Sequence, residues 1–262
     1  MVQVKKRILQ IFVVLISIYI FLGLFLFFSQ RAILYYPTNQ DFDDCQGFLG
    51  YERLDHNGTR FYFKQGTNDN VVIHYHGNAG STCDRSFVGK FFEQTNNSLI
   101  FVEYAGYSQD YRKPSEKLLL QDATNIKNFI EAQDFQEITL YGQSLGSGVA
   151  SYHSSIQYVD SIVLVTTFTN LKDVAKSKYP IYPVSFLLKE KYTIDTWLQD
   201  FQGEILFIHG DNDRIIPSKF SKRLYGRLNN SKKQYVLIPE KGHNDLWFSQ
   251  KFQETIIEFL KE

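Results

Sequence analysis

A short apolar run, Ile138-Thr139-Leu140-Tyr141, ends in Gly142-Gln143-Ser144-Leu145-Gly146, and small residues at helical spacing follow. Gly-x-Ser-x-Gly between a strand and a helix marks a tight turn that holds a serine hydroxyl out at a sheet edge. The glycines two residues to either side are needed because side chains there would clash in so sharp a turn. A serine hydroxyl is a weak nucleophile until a base takes its proton, and the base needs an acid to orient it. Two further loops offer those groups. Strand-like residues 204–209 run into Gly210-Asp211-Asn212-Asp213, so Asp211 and Asp213 are both candidates for the acid, although one of them is accounted for by the preference of aspartate for turns. Residues 234–238 lead into Pro239-Glu240-Lys241-Gly242-His243, which places His243 after the last strand pattern, where a base belongs. The histidines His56, His74 and His153 read instead as exposed or packed.

A fourth loop, His76-Gly77-Asn78-Ala79-Gly80, follows an apolar run and precedes Ser81-x-x-Asp84, a helix-start pattern. Its small residues leave backbone N–H groups exposed at a helix N-terminus. The N–H of Asn78 or Ala79, together with that of Leu145, suits a developing oxyanion. Such a set supports acyl transfer through serine and requires neither a metal nor an organic cofactor. No His-Glu-x-x-His or paired-cysteine metal motif occurs in the sequence.

The elements that must position these loops are legible from hydrophobic patterning. Residues 71–76, 99–104, 138–141, 161–167, 204–209 and 234–238 are rich in Val, Ile, Leu, Phe and Tyr without polar alternation. That is the pattern of strands buried on both faces of a parallel sheet. Between them, residues 115–131, 145–155, 217–227 and 246–260 carry helical spacing. In the first of these Leu119, Ala123, Ile126 and Ile130 share one face, behind a Pro114-Ser115 start signal. Residues 51–64 predict an antiparallel hairpin turning at Asn57-Gly58. The alternation predicts an α/β fold with a mostly parallel, doubly wound sheet. Residues 170–201 interrupt it and are too apolar for a solvated loop, which predicts a small helical cap between two strands.

Residues 8–28 are almost unbroken apolar sequence, about the ~20 residues that a hydrocarbon core requires. The run ends Phe-Leu-Phe-Phe-Ser-Gln-Arg and offers no small-x-small cleavage site, so an uncleaved transmembrane anchor is expected rather than a signal peptide. Lys5, Lys6 and Arg7 precede it within a short basic segment, 1–7, and the acidic Asp41, Asp43 and Asp44 follow. The positive-inside rule then predicts a cytoplasmic N-terminus and a body, residues 34–262, on the non-cytoplasmic side. With 28 Lys+Arg against 28 Asp+Glu there is no electrostatic case for nucleic acid. Of the two cysteines, Cys45 and Cys83, free thiols are the expectation, with one bridge open to them in an oxidising compartment.

The order Ser144, acid, His243, each after its own strand, is that of the α/β-hydrolases. The chain is similar to that superfamily, and resembles most its small, singly anchored branch, the abhydrolase-domain-containing proteins. The resemblance covers about residues 33–260. It is carried by Tyr35-Tyr36-Pro37, His76-Gly77-Asn78-Ala79-Gly80, Glu103-Tyr104-Ala105-Gly106-Tyr107 with Pro114-Ser115-Glu116, and Gly142 to Gly146. It continues through His209-Gly210 to Asp213, Ile216-Pro217 and Gly242-His243-Asn244-Asp245. The resemblance favours Asp213 over Asp211 as the acid. It implies a serine hydrolase acting on carboxylic esters or thioesters, with lipid-like acyl compounds favoured as substrates by the adjoining anchor. Two other readings share the fold: a peptidase of the prolyl-oligopeptidase type, and a non-catalytic membrane-anchored binding protein, which would have no need of an intact triad. Epoxide hydrolases and dehalogenases carry Asp where this chain has Ser144. Members of the family usually have Arg and a further Gly where Ala105 and Ser108 stand here, so substrate contact or loop rigidity is expected to differ.

Overall fold

The computed structural model of the chain describes residues 2–261. It opens with α1 (Val2–Leu34), 33 residues long and, by length and composition, apolar enough to cross a membrane. A two-residue strand β1 (Tyr36–Pro37) follows, and then the hairpin β2 (Glu52–His56) and β3 (Thr59–Lys64). Asn57 and Gly58 turn that hairpin with φ of 55° and 81°, the left-handed pair that a two-residue connection demands. The strand β4 (Val71–Tyr75) leads through β5 (Ala79–Gly80) to α2 (Ser86–Phe92), β6 (Ser98–Glu103) and α3 (Glu116–Ile130). Next come β7 (Ile138–Gln143), α4 (Leu145–Ile156) and β8 (Ser161–Val165). Three short helices, α5 (Leu171–Lys178), α6 (Val184–Leu187) and α7 (Ile194–Trp197), separate β8 from β9 (Glu204–Gly210). The chain closes with α8 (Lys219–Arg227), β10 (Lys233–Ile238) and α9 (Gln250–Phe259).

Eight strands form one sheet in the order β10-β9-β8-β7-β4-β6-β3-β2. All pairs are parallel except β2 with β3 and β3 with β6. The fold class read from the sequence is therefore the one observed, with each parallel strand within one or two residues of its expected span. The unbroken apolar runs have the expected cause. Val71, Ile73 and Tyr75 of β4 enter one core layer with Leu119, Ile126 and Val149, whereas Val72 enters the other with Phe92, Phe101 and Tyr141. Helix α3 buries Leu119, Ala123, Ile126 and Ile130, the predicted face, and Ser115 caps it by accepting from the Leu118 N–H at 3.4 Å.

The structure departs from the sequence reading in three places. The expected helix 246–260 is split: a single 3-10 turn, Leu246–Phe248, precedes α9, because the Ser249 hydroxyl accepts from the Phe252 N–H at 3.4 Å and caps a new helix there. Helix α2 and the β1–β5 pair carry too few residues to show a period. The third departure concerns the thiols. Cys45 and Cys83 are not free but joined, with Cα atoms 5.8 Å apart. They lie 38 residues apart in sequence, and the 3-10 turns Gln46–Phe48 and Cys83–Arg85 pack side by side to bring them together. In the chain-entropy account a bridge over a loop of this length stabilises the fold by roughly 4 kcal/mol. Cys45→Ser/Cys83→Ser should therefore unfold at a clearly lower urea concentration than the oxidised wild type. Equal midpoints would show that the bridge restrains nothing.

Candidate active site

The β7–α4 turn sets Ser144 at φ 53° and ψ −118°, a conformation that costs a non-glycine residue about 1–3 kcal/mol. The neighbouring backbone makes the turn possible. A Cβ on Gly146 would lie 2.1 Å from the Tyr75 carbonyl oxygen, and one on Gly142 would lie 2.6 Å from the carbonyl oxygen of Gly146. Gly146 thus lets α4 press directly against β4, and Gly142 lets the first turn of α4 fold tightly back on β7.

The structure brings Ser144, His243 and Asp213 together from three separate strand ends. His243 Nε2 lies 2.9 Å from Ser144 Oγ, and His243 Nδ1 lies 2.7 Å from Asp213 Oδ2. With the Nδ1–H donating to the carboxylate, Nε2 is left as the acceptor for the serine hydroxyl. All three side chains are largely withdrawn from solvent, whereas Asp211 is exposed, so the acid in contact is Asp213. Burial on its own would push the Asp213 carboxyl up. Hydrogen bonds from His209 and His243, the His243 charge and the Ile216 N–H together outweigh burial and hold it well below the usual carboxylate range. Its other oxygen accepts from the N–H groups of Ile215 and Ile216, both at 2.8 Å.

His209 was not a site candidate from sequence. Its Nε2 lies 2.8 Å from the Ile216 carbonyl oxygen and 3.1 Å from Asp213 Oδ2, so an Nε2–H there braces the acid from behind. The available signal was its place in β9, four residues before Asp213, on the same turn.

Leu145 opens α4, and its N–H has no carbonyl four residues back to bond. Asn78 and Ala79 line the same cavity as Ser144. The carbonyl of Asn78 accepts from the Tyr36 N–H at 3.0 Å and the Tyr107 hydroxyl at 2.7 Å, and its Nδ2 donates to the Leu34 carbonyl at 2.8 Å. These bonds fix the turn that carries the two N–H groups. Behind it, the expected helix-start pattern is in place: the Ser81 N–H donates to Asp84 Oδ2 at 2.8 Å, and the Asp84 N–H to Ser81 Oγ at 3.3 Å.

The departing loop residues are both fully buried, and neither lines the cavity. Ser108 takes a φ of 46°, where glycine is usual, and its hydroxyl donates to Glu103 Oε2 at 2.7 Å. The Ala105 N–H donates to Asp122 Oδ2 at 2.8 Å. The difference from that pattern therefore lies in the packing of the loop, away from the cavity wall.

Ser144 and His243 line a cavity of about 510 Å³. Its other walls are mainly apolar: Phe168, Leu171 and Val174 near α5, Val184 and Leu187 of α6, and a stretch of α1. The part played by α1 was not legible in the sequence, where the helix reads as anchor only.

No protein-family model matches the chain. An uncharacterized protein of Mycobacterium tuberculosis is 28% identical to it over 253 residues, covering 91% of this chain and 90% of its own. An uncharacterized membrane protein of Saccharomyces cerevisiae is 28% identical over 180 residues, covering 66% of this chain and 63% of its own. Among solved structures, the esterase PF2001 of Pyrococcus furiosus superposes with a TM-score of 0.65 at 14% identity, covering 87% of this chain and 97% of that one. A monoacylglycerol lipase from Paleococcus ferrophilus superposes with a TM-score of 0.61 at 14% identity, covering 80% and 98%. At such identities the likeness to both enzymes is one of fold.

Proposed function

We propose that this chain, which has the α/β-hydrolase fold, is a membrane-anchored serine hydrolase that cleaves acyl esters or thioesters of lipid-like compounds. One observation carries the reading: Ser144 Oγ, His243 Nε2, His243 Nδ1 and Asp213 Oδ2 form a continuous hydrogen-bonded line at a mainly apolar cavity lined by Ser144 and His243. The ester-cleaving names borne by the two structural neighbours agree with it.

In this reading His243 takes the Ser144 proton as Oγ attacks the acyl carbonyl. Asp213 holds the imidazole in the required tautomer and stabilises its cation. The N–H groups of Leu145 and of Asn78 or Ala79 receive the oxyanion, each donor of this kind being worth about 10²–10³ in turnover. The His243 proton passes to the leaving alcohol or thiol. Water, activated by the same histidine, then releases the acid from the acyl-serine, and Ser144 recovers its proton. Every group used belongs to the chain or to water.

Residues 8–28 are proposed as the membrane span, 1–7 as its short cytoplasmic flank, and 34–262 as the catalytic body, with residues 170–201 as its cap. The Lys5-Lys6-Arg7 flank supports a body on the non-cytoplasmic side. The Cys45–Cys83 bridge supports this, because disulfides persist in oxidising compartments.

Fluorophosphonate labelling of the detergent-solubilised full chain tests the reading. Modification mapped to Ser144 and absent in His243→Ala is expected. A folded wild type that stays unlabelled in both detergent and bilayer would sink the hydrolase assignment.

A further inference from the structure

Helix α1 contributes Gly23, Leu26, Phe27, Gln30, Ile33 and Leu34 to the wall of the cavity that Ser144 and His243 also line. These positions recur every three or four residues, so they form a single helix face. We propose that α1 and the insertion between β8 and β9 together build an acyl-chain channel that opens into the non-cytoplasmic leaflet, and that the substrate is a single-chain acyl ester drawn sideways from the bilayer. The proposal rests on the hydrolase reading above and adds the route and the source of the substrate.

The helix is docked on the insertion by specific contacts and is not merely adjacent to it. Gln30 donates through Nε2 to the Leu187 carbonyl at 3.2 Å and accepts the Lys189 N–H at 2.7 Å. Arg31 Nε donates to the buried Glu190 at 2.6 Å, and Glu190 also accepts from the Tyr35 hydroxyl at 2.8 Å. About three turns deeper, the Tyr19 and Tyr182 rings stack with centroids 4.8 Å apart, and the Tyr19 hydroxyl donates to the Ile181 carbonyl at 2.8 Å. Gly23, a weak interruption in the apolar run, lies under the Tyr182 ring, which a Cβ would approach to 3.1 Å.

Depth along the helix then places part of the insertion below the membrane surface. With 8–28 as the hydrocarbon span, Tyr19 lies about 13 Å inside the end at Phe28, at ~1.5 Å per residue. Its partners Ile181 and Tyr182 must share that depth. The segment is suited to lipid. Residues 179–188 contain no charged side chain and are flanked by Lys178 and Lys189. Ile181 and Phe186 are 69% and 90% exposed, apolar surface that acyl chains would cover. Lipid also demands that backbone groups find partners within the protein. Pro180 and Pro183 carry no N–H, and the N–H groups of Tyr182, Val184, Phe186, Leu187 and Leu188 all donate to backbone carbonyls nearby. The Ile181 carbonyl is taken by Tyr19.

The test uses the full-length Ser144→Ala chain in phosphatidylcholine nanodiscs with a monoacylglycerol carrying a diazirine at the end of its acyl chain. Photolysis is expected to crosslink Phe27 of α1 and Leu187 of α6. Leu26→Trp, which fills the channel, should lower that yield at least tenfold, while Phe25→Trp on the outer helix face should leave it in place. Crosslinks confined to outward positions such as Phe21 and Phe25, or a pocket yield indifferent to Leu26→Trp, would overturn the proposal. The readout needs no turnover, so pocket crosslinks would stand even if Ser144 resisted fluorophosphonate. A labelled Ser144 without pocket crosslinks would sink this inference alone.

Discussion

Ser144→Ala, His243→Ala and the double variant are each expected to lower kcat/KM by the same factor, on the order of 10⁶. The equality is the informative part. Ser144 Oγ and His243 Nε2 are 2.9 Å apart and share one proton, so either side chain is useless without the other. Once one is gone, removing the second takes nothing further away. In the proposed mechanism, what activity survives would come from the N–H groups of Leu145 and of Asn78 or Ala79 and from binding in the cavity. The measurement is a double-mutant cycle on one ester in detergent. Losses that multiply in the double variant would mean the two groups act in separate steps, contrary to the mechanism proposed.

Asp213→Asn is expected to cost about 10⁴ in kcat, the scale seen when an amide replaces a triad carboxylate, with little change in KM. All four hydrogen bonds at this carboxylate come from donors: the N–H groups of Ile215 and Ile216 at one oxygen, His243 and His209 at the other. An amide has one acceptor and one donor end. Its oxygen will stay on the two backbone N–H groups, which turns the NH₂ toward His243. The imidazole must then accept at Nδ1 and carry its proton on Nε2, where it can no longer take the proton of Ser144. A structure of the variant should show the triad geometry retained, and kcat should not recover at any pH. The acid stability of the two proteins should also differ. The Asp213 pKa is depressed in the folded state, so its stabilising effect is complete above the unfolded value of about 4 and is lost as pH falls below it. The amide variant should lack that part of the acid unfolding. Wild-type kcat in Asp213→Asn would remove Asp213 from the mechanism.

The sequence carried most of the sheet because β4, β6 and β7 are buried on both faces and need no tertiary information to be read as strands. It also carried the order Ser144, acid, His243. The choice of Asp213 over Asp211 came from family resemblance, since both stand in the same turn and only the fold determines which is turned inward. His209 was missed for a related reason: its place four residues before Asp213 is a weak signal, because the contact itself depends on how the β9 end curls. Free Cys45 and Cys83 were expected because two cysteines 38 residues apart carry no mark of adjacency. The docking of α1 was hidden most thoroughly. An apolar helix face reads the same whether it meets lipid or protein, and Tyr19 and Tyr182 are joined only by the folded chain.

The short β1–β5 pair has a mechanical meaning. Leu34, the last residue of α1, and Tyr36, two residues on, are both hydrogen-bonded to Asn78, in the turn proposed to hold the oxyanion. There is no slack between the two. A spanning helix adjusts to hydrophobic mismatch by tilting, at a cost of fractions of a kcal/mol per Å. Here a change of tilt cannot be absorbed by a linker and must be borne by the Asn78 turn or by the contacts of α1 with the insertion. With α1 as the proposed span, bilayer thickness would become a variable of the proposed active site. Turnover in vesicles of graded lipid chain length should pass through an optimum, and a flat response would show that the junction yields.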